Sequence, residues 1–179
     1  MTDTTTALTI VMPGEFHPSI NQIRSVNDRA YPRWMPHMNI IFPFVPLEEF
    51  DQVAPRLEEG LSSFSSFHIE LNTVGFFSQK QNATYNLQPS KDQLVQFRKL
   101  FKAVTAALPE VSIKHAEFTP HLTMGQCPKQ QLDTTLEGMK EWLIDNPVSF
   151  TLDRVSLIKR SGKDTPFTVI NEVYFGDCT

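Results

Sequence analysis

The sequence contains little cysteine, no excess of basic residues and no long apolar run, and each shortage narrows what the protein can be. Its 179 residues include two cysteines, Cys127 and Cys178, whose spacing fits no metal motif. This usage predicts a reduced, intracellular setting rather than a disulfide framework. The net charge of −4 provides no basic field that would recruit long nucleic acid. A nucleotide or a short RNA end remains the nucleic-acid partner to consider.

Membrane and secretion signals are missing as well. No apolar run approaches the length that crosses a bilayer, and residues 1–15 lack the basic start and apolar core of a signal peptide. We therefore predict no membrane association and a cytoplasmic location, with the nucleus as the alternative. The sequence also contains no glycine-rich phosphate loop, no His-Glu-x-x-His and no Cys-x-x-Cys pattern.

What is present is a short pattern that occurs twice. The first copy is Pro36-His37-Met38-Asn39-Ile40, and the second is Pro120-His121-Leu122-Thr123-Met124. Side chains at positions i and i+2 of a strand leave the same face, so each histidine is expected to point with the asparagine or threonine that follows it. The histidines are 84 positions apart, close to half the chain. This spacing predicts two similar lobes that share a cleft.

Two histidines in one cleft suit the chemistry of phosphodiesters. One imidazole can take a proton from a nucleophile while the other gives a proton to the leaving oxygen. Amide and hydroxyl donors can bind the non-bridging phosphate oxygens, where charge builds up in the transition state. We therefore predict His37 and His121 as catalytic residues, and Asn39 and Thr123 as phosphate-binding residues. Two histidines can also bind a metal, but the motifs offer no third ligand, so we predict no metal and no cofactor.

A structural role for each histidine is the alternative, because the pattern is short. His17-Pro18-Ser19 also matches it, although Pro18 cannot donate to a sheet and is unsuited to a central strand. His68 and His115 have Glu at the second following position and no proline before them. The shared context of His37 and His121 favours a functional role for the pair.

Three further residues are weaker candidates for substrate binding. Phe76 and Tyr85 can stack on a base, since an aromatic face accepts any base. The alternative places Phe76 in the core and Tyr85 in surface packing. Arg160, at the end of a predicted strand, can steer a phosphate, and a solvated loop charge is the alternative.

Hydrophobic periodicity predicts an alternation of helices and strands. Strands are expected at residues 7–12, 37–44, 67–76, 83–87, 119–126, 148–159 and 167–175, and helices at 18–29, 47–60, 90–108 and 129–145. After each histidine strand the order is helix, strand, strand. We predict one α+β domain over residues 1–179 and a monomer, in which two antiparallel β-sheets surround a central cleft with pseudo-two-fold symmetry and helices cover the outer faces.

The stretches 33–44 and 118–125 resemble the two motifs of the two-histidine (2H) phosphoesterases. This family includes RNA 2',3'-cyclic phosphodiesterases and proteins called 2'-5' RNA ligases. The resemblance extends from Ala7 to Phe175 and implies the same bilobal architecture. The usual first motif has Thr or Ser where this sequence has Asn39. That change keeps a donor but alters its geometry, so we expect it to affect catalytic rate more than phosphate binding.

The resemblance implies a metal-independent phosphoesterase with a role in RNA processing. It would hydrolyse the 2',3'-cyclic phosphate of an RNA end or a nucleotide and leave a 2'-phosphate. One histidine would activate water, and the other would protonate the leaving ribose oxygen; the sequence does not assign the two roles. The alternatives are cleavage or joining of a 2'-5' linkage, and a nucleotide-binding module without significant turnover.

Overall fold

A computed structural model describes residues 2–114 and 117–178, so that His115 and the side chain of Cys178 lie outside the description. Nine strands and four α-helices are found within these ranges. The strands are β1 (Thr6–Val11), β2 (His37–Ile41), β3 (Phe67–Glu70), β4 (Thr73–Ser78), β5 (Asn82–Gln88), β6 (Leu122–Pro128), β7 (Ser149–Leu152), β8 (Arg154–Lys159) and β9 (Thr168–Tyr174). The helices are α1 (His17–Asn27), α2 (Phe50–Leu61), α3 (Leu94–Ala107) and α4 (Leu132–Asp145).

The sheets show a repeated topology. One sheet has the strand order β2-β1-β8-β9, a second has β4-β5-β6, and β3 pairs with β7. We compare β1–β4, the first half, with β5–β8, the second half; on this comparison β2-β1-β8 corresponds to β6-β5-β4. The fourth strand of each half, β4 or β8, lies in the sheet of the other half. The third strands, β3 and β7, pair with each other. The predicted α+β class with antiparallel sheets is confirmed, and the two-stranded β3–β7 ribbon is an addition to the two predicted sheets.

Two of the predicted strands are each divided in two. Residues 67–76 form β3 and part of β4, and residues 148–159 form β7 and β8. β3 pairs with β7, whereas β4 pairs with β5. At both breaks the apolar alternation shifts by one position, from Leu71 to Val74 and from Leu152 to Val155. This change of phase is a signal in the sequence that one strand ends and another begins.

The helices cover the sheets through the apolar stripes that the sequence contains. The apolar stripe of α2 is buried except for Leu47. This residue was predicted on the buried face, but it precedes the helix and is exposed.

The opposite faces of β1 have different roles. Leu8, Ile10 and Met12 enter the main core, whereas Thr9 shares its face with the first histidine motif through strand pairing. No helix in the described part of the chain is long and apolar enough to cross a membrane.

Two glycines give a matched test of the packing. A Cβ atom at Gly176 would overlap the Ser62 carbonyl oxygen, and the Gly176 amide donates to the Phe64 carbonyl at 3.1 Å. We expect Gly176→Ala to lower the free energy of unfolding by about 1–3 kcal/mol, since backbone atoms must move. Gly138 in α4 has open space around it, so Gly138→Ala should raise that free energy by about 0.5–1 kcal/mol. Urea unfolding measures both, and a Gly176→Ala protein as stable as the parent would contradict this packing.

Candidate active site

The two motif histidines lie on edge strands that meet between the lobes. His37 is the first residue of β2, and His121 immediately precedes β6. β2 and β6 are edge strands of their sheets and contact each other. A positive charge on His121 would lower the pKa of His37. The structure thus brings together the two histidines that the sequence singles out.

Each imidazole is held in the same tautomer by the main chain. His37 Nδ1 lies 2.6 Å from the Met35 carbonyl oxygen, and His121 Nδ1 lies 2.8 Å from the Thr119 carbonyl oxygen. A carbonyl oxygen can only accept, so Nδ1 carries the proton in both rings. Nε2 is then the atom with a lone pair in each neutral imidazole. Both rings can therefore take or give a proton at Nε2.

Burial keeps both imidazoles neutral at pH 7 in the free protein. The pKa of His37 is lowered to about 4, chiefly by burial, and the charges of Arg24 and His121 contribute to this lowering. The hydrogen bond to the Met35 carbonyl and the charge of Asp28 oppose this shift. Burial also lowers the pKa of His121, against the effect of its bond to the Thr119 carbonyl. An anionic phosphate bound between the rings would raise both pKa values, because it favours the charged imidazolium.

Aromatic side chains fix the planes of the two imidazoles. Trp34 stacks on His37 with ring centroids 4.5 Å apart and an interplanar angle of 18°. Phe77 meets His121 edge to face, at 4.8 Å and 78°. Trp34 in turn packs against Phe167, with their centroids 3.9 Å apart. A single hydrogen bond at Nδ1 does not fix the plane of an imidazole ring. The aromatic contacts restrict the remaining rotation of each ring.

A buried ion pair anchors the loop that delivers His37. Arg24 and Asp28 form a salt bridge of 2.9 Å, and both side chains are almost fully buried. Arg24 also donates to the Trp34 carbonyl at 2.9 Å, and Asp28 accepts from Gln126 of β6 at 3.2 Å. Breaking a buried pair of this kind typically costs about 3–5 kcal/mol. No residue of this network was predicted from the sequence, although the spacing of Arg24 and Asp28 by one helical turn is a signal for it.

The residues two positions after each histidine share its face. Val11 pairs with His37 and Thr9 pairs with Asn39 across β1 and β2, so His37 and Asn39 leave the same side. Asn39 lines a cavity, and its Oδ1 is buried without a hydrogen-bond partner. Its Nδ2 is thus the amide atom available to a ligand. Thr123, on β6, pairs with Asn86 of β5.

A cavity of about 780 Å³ opens beside His121 and Asn39. Its volume is far greater than a phosphate group needs and can accept a nucleoside as well. Most of the wall is apolar, and Lys114 and Glu117 add one charge of each sign. Among the aromatic side chains of the wall, Phe101 and Phe118 stack on each other with centroids 5.2 Å apart. The complete lining is Asn39, Ile40, Ile41, Phe42, Phe77, Phe101, Ser112, Ile113, Lys114, Glu117, Phe118, Thr119 and His121.

Of the predicted site residues, His121 and Asn39 line this cavity, whereas His37, Thr123 and the three weaker candidates do not. Phe76 is 46% exposed, so it is not the core residue of the alternative interpretation. Its cross-strand partner Tyr85 is 3% exposed and belongs to the core, where burial raises the pKa of its hydroxyl to about 12. Arg160 is buried rather than solvated; it donates to the Thr4 and Lys163 carbonyls.

Phe77 is an aromatic residue of the site that was not predicted from the sequence. It is 39% exposed, lines the cavity and contacts His121. Neighbouring residues on a strand face opposite sides, so Phe76 and Phe77 cannot both reach the cleft. The sequence of β4 does not indicate which of its two faces adjoins the cleft. In the structure Phe76, Phe77 and Ser78 are all exposed, so burial does not distinguish the faces either.

Known proteins resemble this chain in sequence over most of its length. Residues 12–164 match the model of the 2'-5' RNA ligase superfamily. A Staphylococcus haemolyticus protein, provisionally named a phosphoesterase, is 25% identical over 167 residues, which cover 92% of this chain and 95% of that protein.

Two solved structures share the fold at low sequence identity. Escherichia coli LigT complexed with NADP+ has a TM-score of 0.61 at 14% identity, covering 97% of this chain and 98% of LigT. Kluyveromyces marxianus Usb1 with uridine monophosphate has a TM-score of 0.51 at 10% identity, covering 96% of this chain and 99% of Usb1. The family match over most of the chain confirms the resemblance carried by the two histidine motifs: the chain belongs to the 2'-5' RNA ligase superfamily of two-histidine phosphoesterases.

Proposed function

We propose that the protein is a metal-independent phosphoesterase that hydrolyses the 2',3'-cyclic phosphate of a nucleotide or a short RNA end. One observation carries the proposal: both histidines donate Nδ1–H to a main-chain carbonyl two residues upstream and keep Nε2 for proton transfer. Membership of a phosphoesterase superfamily supports it. The nucleotides bound to LigT and Usb1 in their solved structures support a nucleotide as the ligand.

The reaction needs one proton taken and one proton given. One neutral histidine accepts a proton at Nε2 from the attacking water, whose oxygen forms a bond to phosphorus. The bond from phosphorus to the ribose 3' oxygen breaks, and this oxygen takes the proton that the other, protonated histidine carries at Nε2. The product is a 2'-phosphate with a free 3' hydroxyl, as the family resemblance implies. Asn39 Nδ2 and the Thr123 hydroxyl donate to the non-bridging oxygens while their charge increases.

The dependence of kcat/KM on pH should be bell-shaped with an acidic optimum. In the active form of the free enzyme one histidine is protonated and the other is neutral. Because the two histidines interact, the two pKa values seen in the pH profile describe the pair rather than either residue alone. Since the pKa of His37 is about 4 and that of His121 lies below 6.5, this form is most abundant between those values. Above pH 6.5 we expect kcat/KM to fall about tenfold per pH unit as the second proton is lost.

The profile of kcat should lie at higher pH than that of kcat/KM, because bound phosphate raises both pKa values. Steady-state kinetics with 2',3'-cyclic AMP from pH 4 to 9 measures both curves. A kcat/KM that rises steadily to pH 9 would contradict the assigned protonation states.

Phe77 is expected to bind the base or ribose of the substrate in the large cavity. Removing its ring by Phe77→Ala should raise KM for 2',3'-cyclic AMP roughly tenfold, since a stacked base is worth about 1–3 kcal/mol. Phe76→Ala is a matched comparison, because it removes the same ring from a similarly exposed neighbour on the other face. We expect it to leave KM within about twofold. Equal effects of the two substitutions would remove Phe77 from the substrate site.

A substrate panel assayed in excess EDTA tests the proposed function. It contains the four 2',3'-cyclic mononucleotides, a short RNA that ends in a 2',3'-cyclic phosphate, and a 2'-5' linked dinucleotide. Cleavage of only the 2'-5' linkage would favour the alternative activity with the same groups. Binding of 2'-AMP without turnover of any compound would instead indicate a nucleotide-binding module.

The metal-independent part of the proposal depends on the same panel. Among the described residues, no group of three or more His, Cys, Asp and Glu side chains could hold a metal ion. Activity should therefore persist in the chelator. Loss of activity in EDTA that a divalent ion restores would overturn this part of the proposal.

A further inference from the structure

Two buried amide atoms have no hydrogen-bond partner: one belongs to Asn39, a predicted phosphate-binding residue, and the other to Asn86, the strand neighbour of Thr123. Among the residues that the structure describes, the buried side-chain polar atoms without a partner are Asn39 Oδ1, Asn86 Nδ2 and Arg160 Nε. Arg160 bonds through its other nitrogens to carbonyls that do not line the cavity. The two asparagine atoms instead lie beside the histidine motifs. Such buried atoms are costly to leave without a partner, so each requires an explanation.

The sheet register places each asparagine opposite a threonine. Thr9 on β1 pairs with Asn39 on β2, and Asn86 on β5 pairs with Thr123 on β6. β1 and β5 are counterparts in the repeated topology, as are β2 and β6. Each lobe therefore carries one threonine and one asparagine side by side on the face of its histidine. The two residue types have exchanged strands between the lobes.

In the first lobe the atom without a partner is an acceptor, and the threonine opposite can donate to it. Thr9 is fully buried, and its hydroxyl donates to the Ser156 carbonyl at 3.4 Å, a long hydrogen bond. Giving up this long bond to Ser156 costs little. Asn39 Oδ1 has no donor in bonding position in the free protein, so a bond from the Thr9 hydroxyl forms only when the Thr9 or Asn39 side chain turns. That bond would hold the amide with its NH2 group on the cavity side, ready for a phosphate oxygen.

In the second lobe the atom without a partner is a donor, and the threonine opposite can accept from it. Gln88 Nε2 donates to Asn86 Oδ1 at 2.9 Å, which fixes the Asn86 amide and leaves Nδ2 free. Gly75 makes room for this bond, since a Cβ there would overlap the Gln88 amide. A hydroxyl has one proton and two acceptor positions. The two side chains are not bonded in the free protein, but once the Thr123 hydroxyl turns towards Asn86 Nδ2 it can accept from it and still donate its own proton to phosphate.

We propose that Thr9 and Asn86 are positioning residues that orient the two phosphate donors, Asn39 Nδ2 and the Thr123 hydroxyl. Neither touches the substrate; each acts through its cross-strand neighbour when phosphate binds. The inference rests on the proposed function, and it accounts for the unusual Asn39. The family motif has a hydroxyl residue at the position of Asn39 on β2. In this chain a hydroxyl lies on the neighbouring strand β1, at Thr9, where it can orient the Asn39 amide.

The test combines substitutions at Thr9 with a second substitution at Asn39. Thr9→Val keeps the shape of the side chain and removes the hydroxyl, so kcat/KM for 2',3'-cyclic AMP should fall about tenfold, as for one lost hydrogen bond. Thr9→Ser keeps the hydroxyl and should stay within about twofold of the parent. In an Asn39→Ala protein, Thr9→Val should cost less than about twofold, because its partner is already gone. Asn86→Leu should likewise lower kcat/KM in the parent but have little effect on kcat/KM in a Thr123→Val protein.

Thr6→Val is the matched control, since Thr6 is a buried threonine of the same strand whose hydroxyl donates to the Val45 carbonyl at 2.7 Å. It should lower Tm and leave kcat/KM within about twofold. Equal losses from Thr9→Val in the parent and in Asn39→Ala would overturn the inference while the proposed function stands. If the parent turns over no substrate, the proposed function fails separately. The same comparison of variants is then made with the Kd of 2'-AMP, with the same expected pattern.

Discussion

His37→Ala and His121→Ala are each expected to lower kcat on a 2',3'-cyclic nucleotide at least about 100-fold. Each change removes a proton acceptor or donor at Nε2, and a lost general acid or base costs roughly 10²–10⁴ in rate. The loss should be similar for the two variants, because both proton transfers are needed in one reaction. Combining them should cost much less than the product of the single effects, since groups that act as a unit are not additive.

The matched control for these variants is His68→Ala. His68 lies on β3, away from the cavity, and its Nε2 is 2.8 Å from the Ser149 hydroxyl. We expect kcat to remain within about twofold of the parent in this variant. Circular dichroism and thermal unfolding check that all three variants are folded. Near-normal turnover by either motif variant would show that the two-histidine mechanism is wrong.

The sequence predicts the centre of the candidate site because its geometry is local. A side-chain period of two places Asn39 with His37 on one strand face, and this needs no knowledge of neighbouring strands. The same holds for the helices, whose stripes of buried residues are read along one element. The repeated order of elements then predicts two lobes, since similar units with similar apolar faces pack in similar ways.

The remainder of the site depends on partners that are distant in sequence. Thr9 meets Asn39, and Asn86 meets Thr123, only through a strand register that includes a bulge in each pair. No local pattern encodes that register. Phe76 and Phe77 illustrate the same limit, because alternation separates their faces but does not say which face adjoins His121.

Asn39→Asp is expected to lower kcat/KM for 2',3'-cyclic AMP about 100-fold. The change nearly preserves the shape of the side chain but replaces the NH2 donor by an oxygen that cannot donate. It also brings a negative charge towards an anionic substrate. Loss of one donor to a developing oxyanion costs about 10²–10³ in rate, which sets the scale of the effect. We expect the Kd of 2'-AMP to rise as well.

The same variant should change the pH profile in a defined direction. A carboxylate on the face of His37 favours the imidazolium, so the pKa of His37 should rise from about 4 and the acidic limb should move to higher pH. Asn39→Thr is the matched comparison, because it restores the residue type of the family motif and keeps a donor. We expect its kcat/KM to equal or exceed that of the parent. An Asn39→Asp variant with the kcat/KM of the parent, and with the acidic limb of its pH profile at the same pH, would contradict this prediction. It would show that residue 39 neither contacts the phosphate nor affects the pKa of His37.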